Sequence, residues 1–320
     1  MVVALVTGIG GQDGWYLAHH LRDLGTEVWG ATRGSAAPPG LPFVRLTPPA
    51  DLRDGASLER AVVAAQPDEV YHLAAQSSVG ASWDDPVGTG DVTGLGTLRL
   101  LEAVRRIAPA ARVFVPSSSE VFGEPARAPQ DETTPIRPVS PYGAAKAYAQ
   151  QAAAMYRRRH GLFVAIGILY NHESPRRPPV FLSRKVTSGA AAIARGEQTE
   201  LRLGNLEARR DWGFAGDYVR AMPLMLRSPA PDEYVIATGE THAVREWCEA
   251  AFARVGLDWR DYVVVDPSLW RPTEPMPLTG DASKAHQRLG WAPTVPFPAL
   301  VDLMMDAELA AGAPAAARTS

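Results

Sequence analysis

The chain has 320 residues, enough for one large domain with a sizeable core or two smaller ones, and its 46% hydrophobic content excludes a disorder-dominated protein. Its net charge of −3 and 21% charged residues leave no broad basic footprint, which argues against nucleic acid as a partner. A single cysteine, Cys248, excludes an internal disulfide framework; the seven histidines show no metal-ligand spacing, and no apolar stretch is long enough to span a bilayer.

From the N-terminus, Val2-Val3-Ala4-Leu5-Val6 is an apolar, β-branched run of strand length. Thr7-Gly8-Ile9-Gly10-Gly11-Gln12-Asp13-Gly14 follows at once, and a helical pattern runs from Trp15 to Leu24. Strand, glycine turn and helix stand in the order that a dinucleotide site needs, because glycine lets the backbone approach a pyrophosphate and the helix N-terminus offers free N–H groups. The glycines at 8, 11 and 14 follow GxxGxxG spacing, and the GxG form also uses Gly10. A second strand from Glu27 to Thr32 ends at Arg33. Arginine there suits a 2′-phosphate, where an acidic residue would bind a ribose hydroxyl, so Arg33 favours NADP over NAD. A short strand at 42–46 is expected next, with Asp51 and Leu52 after it, placed to border an adenine. The run from Val70 to Leu73 reads as a fourth strand that opens into Ala74, Ala75, Gln76, Ser77 and Ser78, small enough for a cofactor to pass closely.

Strands are expected near 2–7, 27–32, 42–46, 69–74, 112–117 and 163–169, with helices between them. That alternation predicts an α/β fold, a Rossmann-type doubly wound parallel sheet over residues 1–170. The proline-rich stretches 36–49 and 124–141 read as loops. Beyond residue 170 the alternation loosens, which predicts a smaller, mixed C-terminal substrate lobe over 171–309, some of whose segments return to the sheet. Residues 310–320 are rich in small side chains and read as a flexible tail. Cys248, inside Arg-Glu-Trp-Cys-Glu-Ala-Ala-Phe, reads as a packed helical thiol. The first apolar run has no basic segment ahead of it, so a soluble, cytoplasmic protein is expected.

The chemistry is carried by Ser118, Glu120, Tyr142 and Lys146. Tyr142 and Lys146 are four apart in a run of good helix formers, so both emerge on one helix face and the ammonium can sit beside the phenol. Lowering a tyrosine from about 10 by about three units takes roughly 4 kcal/mol. A cation about 4 Å away at an effective dielectric of about 20 supplies an amount of that order. With help from an oxidised nicotinamide, Lys146 makes Tyr142 a usable base. Ser118 and Glu120 fall where the fifth strand ends, at the carboxyl edge where open α/β sheets bind ligands; Pro116 fits the end of a strand better than its middle. A carboxylate partly withdrawn from water can take a proton and give it up again. Oxidation at a sugar C4 acidifies the C5 proton, and Glu120 over C5 can then move that proton to the departing C6 hydroxyl.

The chain resembles the GDP-mannose 4,6-dehydratases of the extended short-chain dehydrogenase/reductase superfamily. The resemblance is carried by TGIGGQDGWYLA, DEVYHLAAQSSVGASW, GLGTLRLLEA, SSSEVFG, SPYGAAKAYA, GILYNHESPRR, SRKV, LRLGNLEARRDWGFAGDYVRAM, YVIATG and RPTEP, which cover residues 4 to about 290. It implies NADP held by Gly8, Gly10, Gly11, Gln12, Asp13, Arg33, Asp51, Leu52, Leu73, Ala74, Ala75, Ser77, Tyr142, Lys146, His172 and Arg177. It assigns catalysis to Ser118, Glu120 and Tyr142, with Lys146 beside them. The GDP-sugar falls to Ser78, Asn171, Val180, Lys185, Arg210, Arg271 and Glu274, a set whose arginines and lysine suit a diphosphate. Arg209, next to Arg210, reads better as surface charge.

The chain also departs from the resemblance. Ser118 stands where the family usually has Thr and keeps the hydroxyl. Pro116 replaces a usual Ala, and Ser78 a larger residue. The family's double arginine after the second strand is Arg33-Gly34 here, and the arm after it is shortened to Ser35-Ala36-Ala37-Pro38-Pro39-Gly40. Because that arm helps relatives build a tetramer, a homo-oligomer is expected, a dimer in preference to a tetramer. The leading reading is conversion of GDP-mannose to GDP-4-keto-6-deoxymannose. The alternatives are a related dehydratase, or a C4 epimerase or reductase, acting on a heptose or larger GDP-sugar, and a catalytically silent NADP-binding regulator. A pure epimerase or reductase has no need of Glu120.

Overall fold

The computed structural model describes residues 1–270 and 277–312. In chain order the first half contains β1 (Val3–Thr7), α1 (Gln12–Asp23), β2 (Glu27–Ala31), β3 (Arg45–Leu46), α2 (Gly55–Ala65) and β4 (Glu69–His72). Two short helices, α3 (Ala81–Asp84) and α4 (Pro86–Thr89), lead through a π-helical turn at Gly90–Leu95 into α5 (Gly96–Ile107). Then come β5 (Arg112–Ser118), α6 (Pro141–His160) and β6 (Val164–Leu169). The second half holds β7 (Asn171–Glu173), α7 (Leu182–Ala194), β8 (Leu201–Leu203), β9 (Arg209–Arg210), β10 (Trp212–Phe214), α8 (Ala215–Leu226) and β11 (Glu233–Ile236). It continues with β12 (His242–Ala243), α9 (Val244–Ala253), β13 (Val263–Val265), α10 (Ser283–Leu289) and α11 (Phe297–Gly312).

Seven strands form one parallel sheet in the order β11-β6-β5-β4-β1-β2-β3. The order reverses between β1 and β4, which opens a crevice at their carboxyl ends. Strand residues alternate between two cores, as a sheet covered on both faces requires. Ala4, Val6, Tyr71, Phe114 and Ala165 pack on the side of α1 and α8, while Leu5, Val70, Val113, Val115, Val164 and Ile166 pack on the side of α2, α5 and α6. β11 pairs with β6 through Glu233↔Ile166 to Ile236↔Leu169, so a segment from the second half completes the sheet.

Pro116 lies near the carboxyl end of β5 without breaking the sheet. Arg112 N bonds Asp68 O on the β4 side and Val113 N bonds Phe163 O on the β6 side, so the even residues of β5 address β4. The β4 ladder stops at Tyr71↔Phe114, one step before a proline nitrogen would be asked to donate.

A separate core lies under β8, α7, α9 and α11. Trp212 meets Trp247 edge-on at 5.8 Å, and Trp247 meets Phe297 edge-on at 5.2 Å. Cys248 is buried in this cluster, where burial pushes its thiol up to about 12, an inert packed group. The last helix, α11, runs to Gly312 and so extends into the stretch expected as a tail; residues 313–320 lie outside the described residues.

Candidate active site

The turn between β1 and α1 is shaped for an anion. Gly8 has φ +71°, and a Cβ there would fall 2.7 Å from Ala74 N, so glycine is what lets β1 and the strip after β4 close together. Gly11 caps α1 without any side-chain bond to the first-turn amides, although Gly11 N itself bonds Gly8 O at 2.9 Å. An uncapped helix N-terminus at the carboxyl edge of a sheet fits the diphosphate of a dinucleotide. The carboxylate of Asp13 in that first turn would oppose an anion, and the structure answers it with a cation. His172 Nδ1 lies 2.7 Å from Tyr170 O, and Nε2 lies 3.0 Å from Asp13 Oδ2. A carbonyl and a carboxylate only accept, so the ring donates from both nitrogens and is an imidazolium. The charges follow. Burial opposes both ions, but His172 with its hydrogen bond, helped by Gln12 and Arg177, draws Asp13 down to about 2; burial likewise opposes the His172 charge, and the Asp13 carboxylate more than offsets it and raises the imidazole. Gln12 tightens the same junction, donating to His172 O at 3.0 Å and accepting from Ser174 Oγ at 2.8 Å.

A buried relay under the strip 73–75 has no signal in the spacing of the sequence. Ala74 N donates to Thr7 Oγ1 at 3.2 Å; Thr7 Oγ1 lies 2.9 Å from His72 Nδ1; His72 Nε2 lies 3.0 Å from Thr97 Oγ1, which donates to Thr93 O at 2.8 Å. Because Thr97 spends its proton on Thr93, His72 donates from Nε2 and accepts at Nδ1. Burial, aided by the charge of Lys146, lowers His72 to about 3, so the ring is neutral. The readable clue is a histidine at the end of a strand next to the glycine turn.

Ser118, Glu120, Tyr142 and Lys146 meet at the carboxyl end of β5. Ser118 is the last residue of the strand and pairs with Leu169 of β6; its hydroxyl accepts from Glu120 N at 3.3 Å and lies on the side of the Tyr142 phenol. α6 starts at Ser140, whose Oγ accepts Gly143 N at 3.0 Å, and Pro141 occupies its first turn. A Cβ on Gly143 would lie 2.6 Å from Glu120 O, so this glycine lets the helix that carries Tyr142 sit against the turn that carries Glu120. Tyr142 and Lys146 are buried and Glu120 is half-buried.

The sequence expects Lys146 beside the phenol, lowering its pKa together with an oxidised nicotinamide; the ammonium is anchored further off, and alone it does not lower the phenol. Lys146 Nζ donates to Pro116 O at 2.9 Å, in the gap left where β4 ends, and sits 5.9 Å from the centre of the Tyr142 ring. Burial pushes Tyr142 up to about 12, with Glu120 adding to the rise and the Ser118 hydroxyl opposing it. Burial lowers Lys146 to about 8. In this state the phenol is an acid holding its proton, and a further positive charge is needed to make it a base.

The other positions that the sequence assigns to the cofactor are placed as follows. Arg33 is exposed beyond β2, Asp51 is half-buried, and Leu52 is buried. Leu73, Ala74 and Ala75 are half-buried, while Ser77 is exposed. Gly10 is exposed on the outside of the turn. Arg177 Nε sits 3.0 Å from Glu173 Oε2 without hydrogen-bond alignment, and its guanidinium lies 3.7 Å over Phe181. Of the substrate positions, Asn171 opens β7 and pairs with Trp212, two residues after Arg210. Lys185 sits in the first turn of α7, Val180 is exposed in the loop before it, and Ser78 Oγ caps the turn at Ala81 N, 3.2 Å away. Arg271 and Glu274 lie outside the described residues. Arg209 is held by Glu246 at 3.1 Å and by Thr241, a structural tie between β9 and α9. A cavity of about 580 Å³ between residues 237–239, 279–283 and Trp291 touches none of Ser118, Glu120, Tyr142 and Lys146, so the polar constellation marks the candidate site and volume does not.

The Rossmann-type sheet, the glycine turn and the Ser-Tyr-Lys group define the class as a short-chain dehydrogenase/reductase. The model of the GDP-mannose 4,6 dehydratase family matches residues 5–304. GDP-mannose 4,6 dehydratase 1 of Arabidopsis thaliana is 47% identical, covering 96% of this chain and 90% of its own length. The Homo sapiens GDP-mannose 4,6 dehydratase is 42% identical, covering 96% and 91%. Among solved structures, UDP-glucose 4-epimerase of Thermus thermophilus, in complex with NAD, superposes with a TM-score of 0.84 at 31% identity, covering 97% of this chain and 99% of that one. The chain belongs to the GDP-mannose 4,6-dehydratase family.

Proposed function

We propose that this protein is an NADP-dependent GDP-mannose 4,6-dehydratase that forms GDP-4-keto-6-deoxymannose. Beside the family membership, the observation that carries the reading is Glu120, a carboxylate-bearing residue whose backbone is fixed just past Ser118 and against the helix of Tyr142. A redox step at C4 alone needs no such group; removal of water needs it.

A nicotinamide held there would supply the hydride chemistry at C4 and C6 and, oxidised, the positive charge that the Tyr142 phenol lacks. Ser118 holds O4, and Tyr142 accepts the O4 proton. Lys146, anchored on Pro116 O, supplies a fixed donor to the site. Glu120 takes the C5 proton, now acidified by the neighbouring ketone, and delivers it to the C6 hydroxyl, which leaves as water. The proton that Tyr142 took from O4 supplies the one restored to C5, which leaves Tyr142 free for the next cycle and completes the 6-deoxy-4-ketone with no net oxidation. Gly8, Gly10, Gly11, Gln12, Asp13 and the 73–77 strip hold the cofactor, with Asp51 and Leu52 at the adenine and Arg33 at a 2′-phosphate. His172 serves it through Asp13, since both ring nitrogens are already engaged. Ser78, Asn171, Val180, Lys185 and Arg210, with Arg271 and Glu274, hold the GDP-sugar.

The protein is proposed to work as a dimer. Val87, Leu95, Tyr148 and Met155 expose apolar surface on α4, the π-helical turn and α6, which pack together, and Tyr148 and Met155 are seven apart on one helix face. Glu120→Gln and Tyr142→Phe are each expected to lower turnover of GDP-mannose at least about a hundredfold with NADP binding intact. Normal turnover by Tyr142→Phe would refute the oxidation step, and normal turnover by Glu120→Gln the elimination step.

A further inference from the structure

Two arginines stand unpaired beside the carboxyl end of β2. Arg33 follows that strand and Arg53 lies between β3 and α2; both are exposed, and among the described residues neither side chain has a hydrogen-bond or ion-pair partner. The backbone brings the two segments side by side. After β3 the chain keeps running along β2, with Thr47 N on Gly30 O at 3.1 Å and Ala50 N on Thr32 O at 2.9 Å. Asp51 therefore comes level with Arg33, and Arg53 is two residues further on.

The turn that carries Arg53 is fixed. Asp51 Oδ1 accepts Arg53 N at 2.8 Å, Ser57 Oγ accepts Asp51 N at 2.9 Å, and Arg99 Nη1 donates to Leu52 O at 3.1 Å. The neighbouring acids are already committed, Asp51 to that turn and Asp54 to Ala56 N at 3.0 Å, with Arg60 3.7 Å from its other oxygen. Two exposed guanidinium groups carried on segments that run side by side can close on one anion from two directions.

We infer that Arg53 is a specificity-determining residue that, with Arg33, receives the 2′-phosphate on the adenosine of the cofactor. The inference rests on the NADP reading given above. Because Arg53 is exposed and its side chain holds no hydrogen bond or ion pair among the described residues, its removal is expected to leave the fold and the rest of the cofactor site in place.

The test is isothermal titration of the wild-type chain and of Arg53→Ala with adenosine 2′,5′-bisphosphate and with 5′-AMP, repeated with NADP and NAD. Loss of the second cation is expected to weaken adenosine 2′,5′-bisphosphate and NADP about tenfold, to leave 5′-AMP and NAD unchanged, and to flatten the salt dependence of the phosphorylated pair alone. A wild-type preference for the 2′-phosphate that Arg53→Ala preserves would overturn the role of Arg53 and leave the NADP reading standing. Equal weakening of all four ligands would overturn it as well, since a general disturbance is not discrimination. A wild-type chain that does not distinguish the two adenosine phosphates would bring down the NADP reading, and this inference with it.

Discussion

His172 carries a charge because of what faces it, and that charge has a pH window. Its pKa is raised, so its contribution to stability is complete below about 6.5, the ordinary imidazole value, and is lost as pH rises through the raised value. Asp13 is drawn down to about 2, so its share is present above about 4 and is lost as pH falls toward 2. The junction between the glycine turn and β7 is therefore strongest from about pH 4 to 6.5. His172→Asn should lower the melting temperature most at pH 5.5, with the gap to wild type narrowing by pH 9. An equal gap at both pH values would mean that the ring is held by packing on Tyr218, at 4.7 Å, and not by charge. This pair also marks a limit of sequence reading. The motifs place both residues at the cofactor, but nothing in spacing joins a residue of α1 to one of β7 across 159 positions.

At the scale of elements, the strands that the sequence reveals are the ones whose β-branched runs are bounded by turn residues. β1, β2, β4, β5 and β6 fall within two residues of expectation, whereas the strand expected at 42–46 shrinks to Arg45–Leu46 because β3 is an edge with only β2 to pair with. α1 starts at Gln12 and not Trp15, since its cap is Gly11, which gives no polar signal. The sequence does not locate the strand β11, because a four-residue apolar run does not encode its partner. Tyr142, Lys146, Ser118 and Glu120 are legible from spacing; the Thr7-His72-Thr97 relay depends on the register Thr7↔His72 and on the path of α5, neither of which spacing records. The turn of Lys146 toward Pro116 O follows from where the β4 ladder ends, which is likewise a property of the sheet. Gly143→Ala tests the contact between two elements directly. Alanine is better than glycine in a helix by about 0.5–1 kcal/mol, yet its Cβ would meet Glu120 O at 2.6 Å. We expect a melting temperature within a few degrees of wild type and a kcat lowered about 10- to 100-fold, in line with the sensitivity of catalysis to displacements of order 1 Å. A fully active Gly143→Ala would show that this contact does not set the position of Glu120.

For the whole molecule, the arm after Arg33 bears on assembly. Pro38 sits over Gly10, Gly40 lies against Trp15, and Leu41 is buried, so the short arm folds back onto its own α1 and does not reach outward. Light scattering is expected to give the mass of two chains, and Met155→Glu on the apolar face of α6 to give one; a stable tetramer would contradict both the shortened-arm argument and the proposed dimer face. The central claim is that one site oxidises, dehydrates and reduces the same sugar. Its most direct test is to incubate the purified protein with GDP-mannose and NADP and to follow both the mass of the sugar nucleotide and the absorbance of NADPH. We expect a product lighter by one water with no net build-up of NADPH. An unchanged GDP-mannose, or NADPH accumulating in step with product, would contradict it.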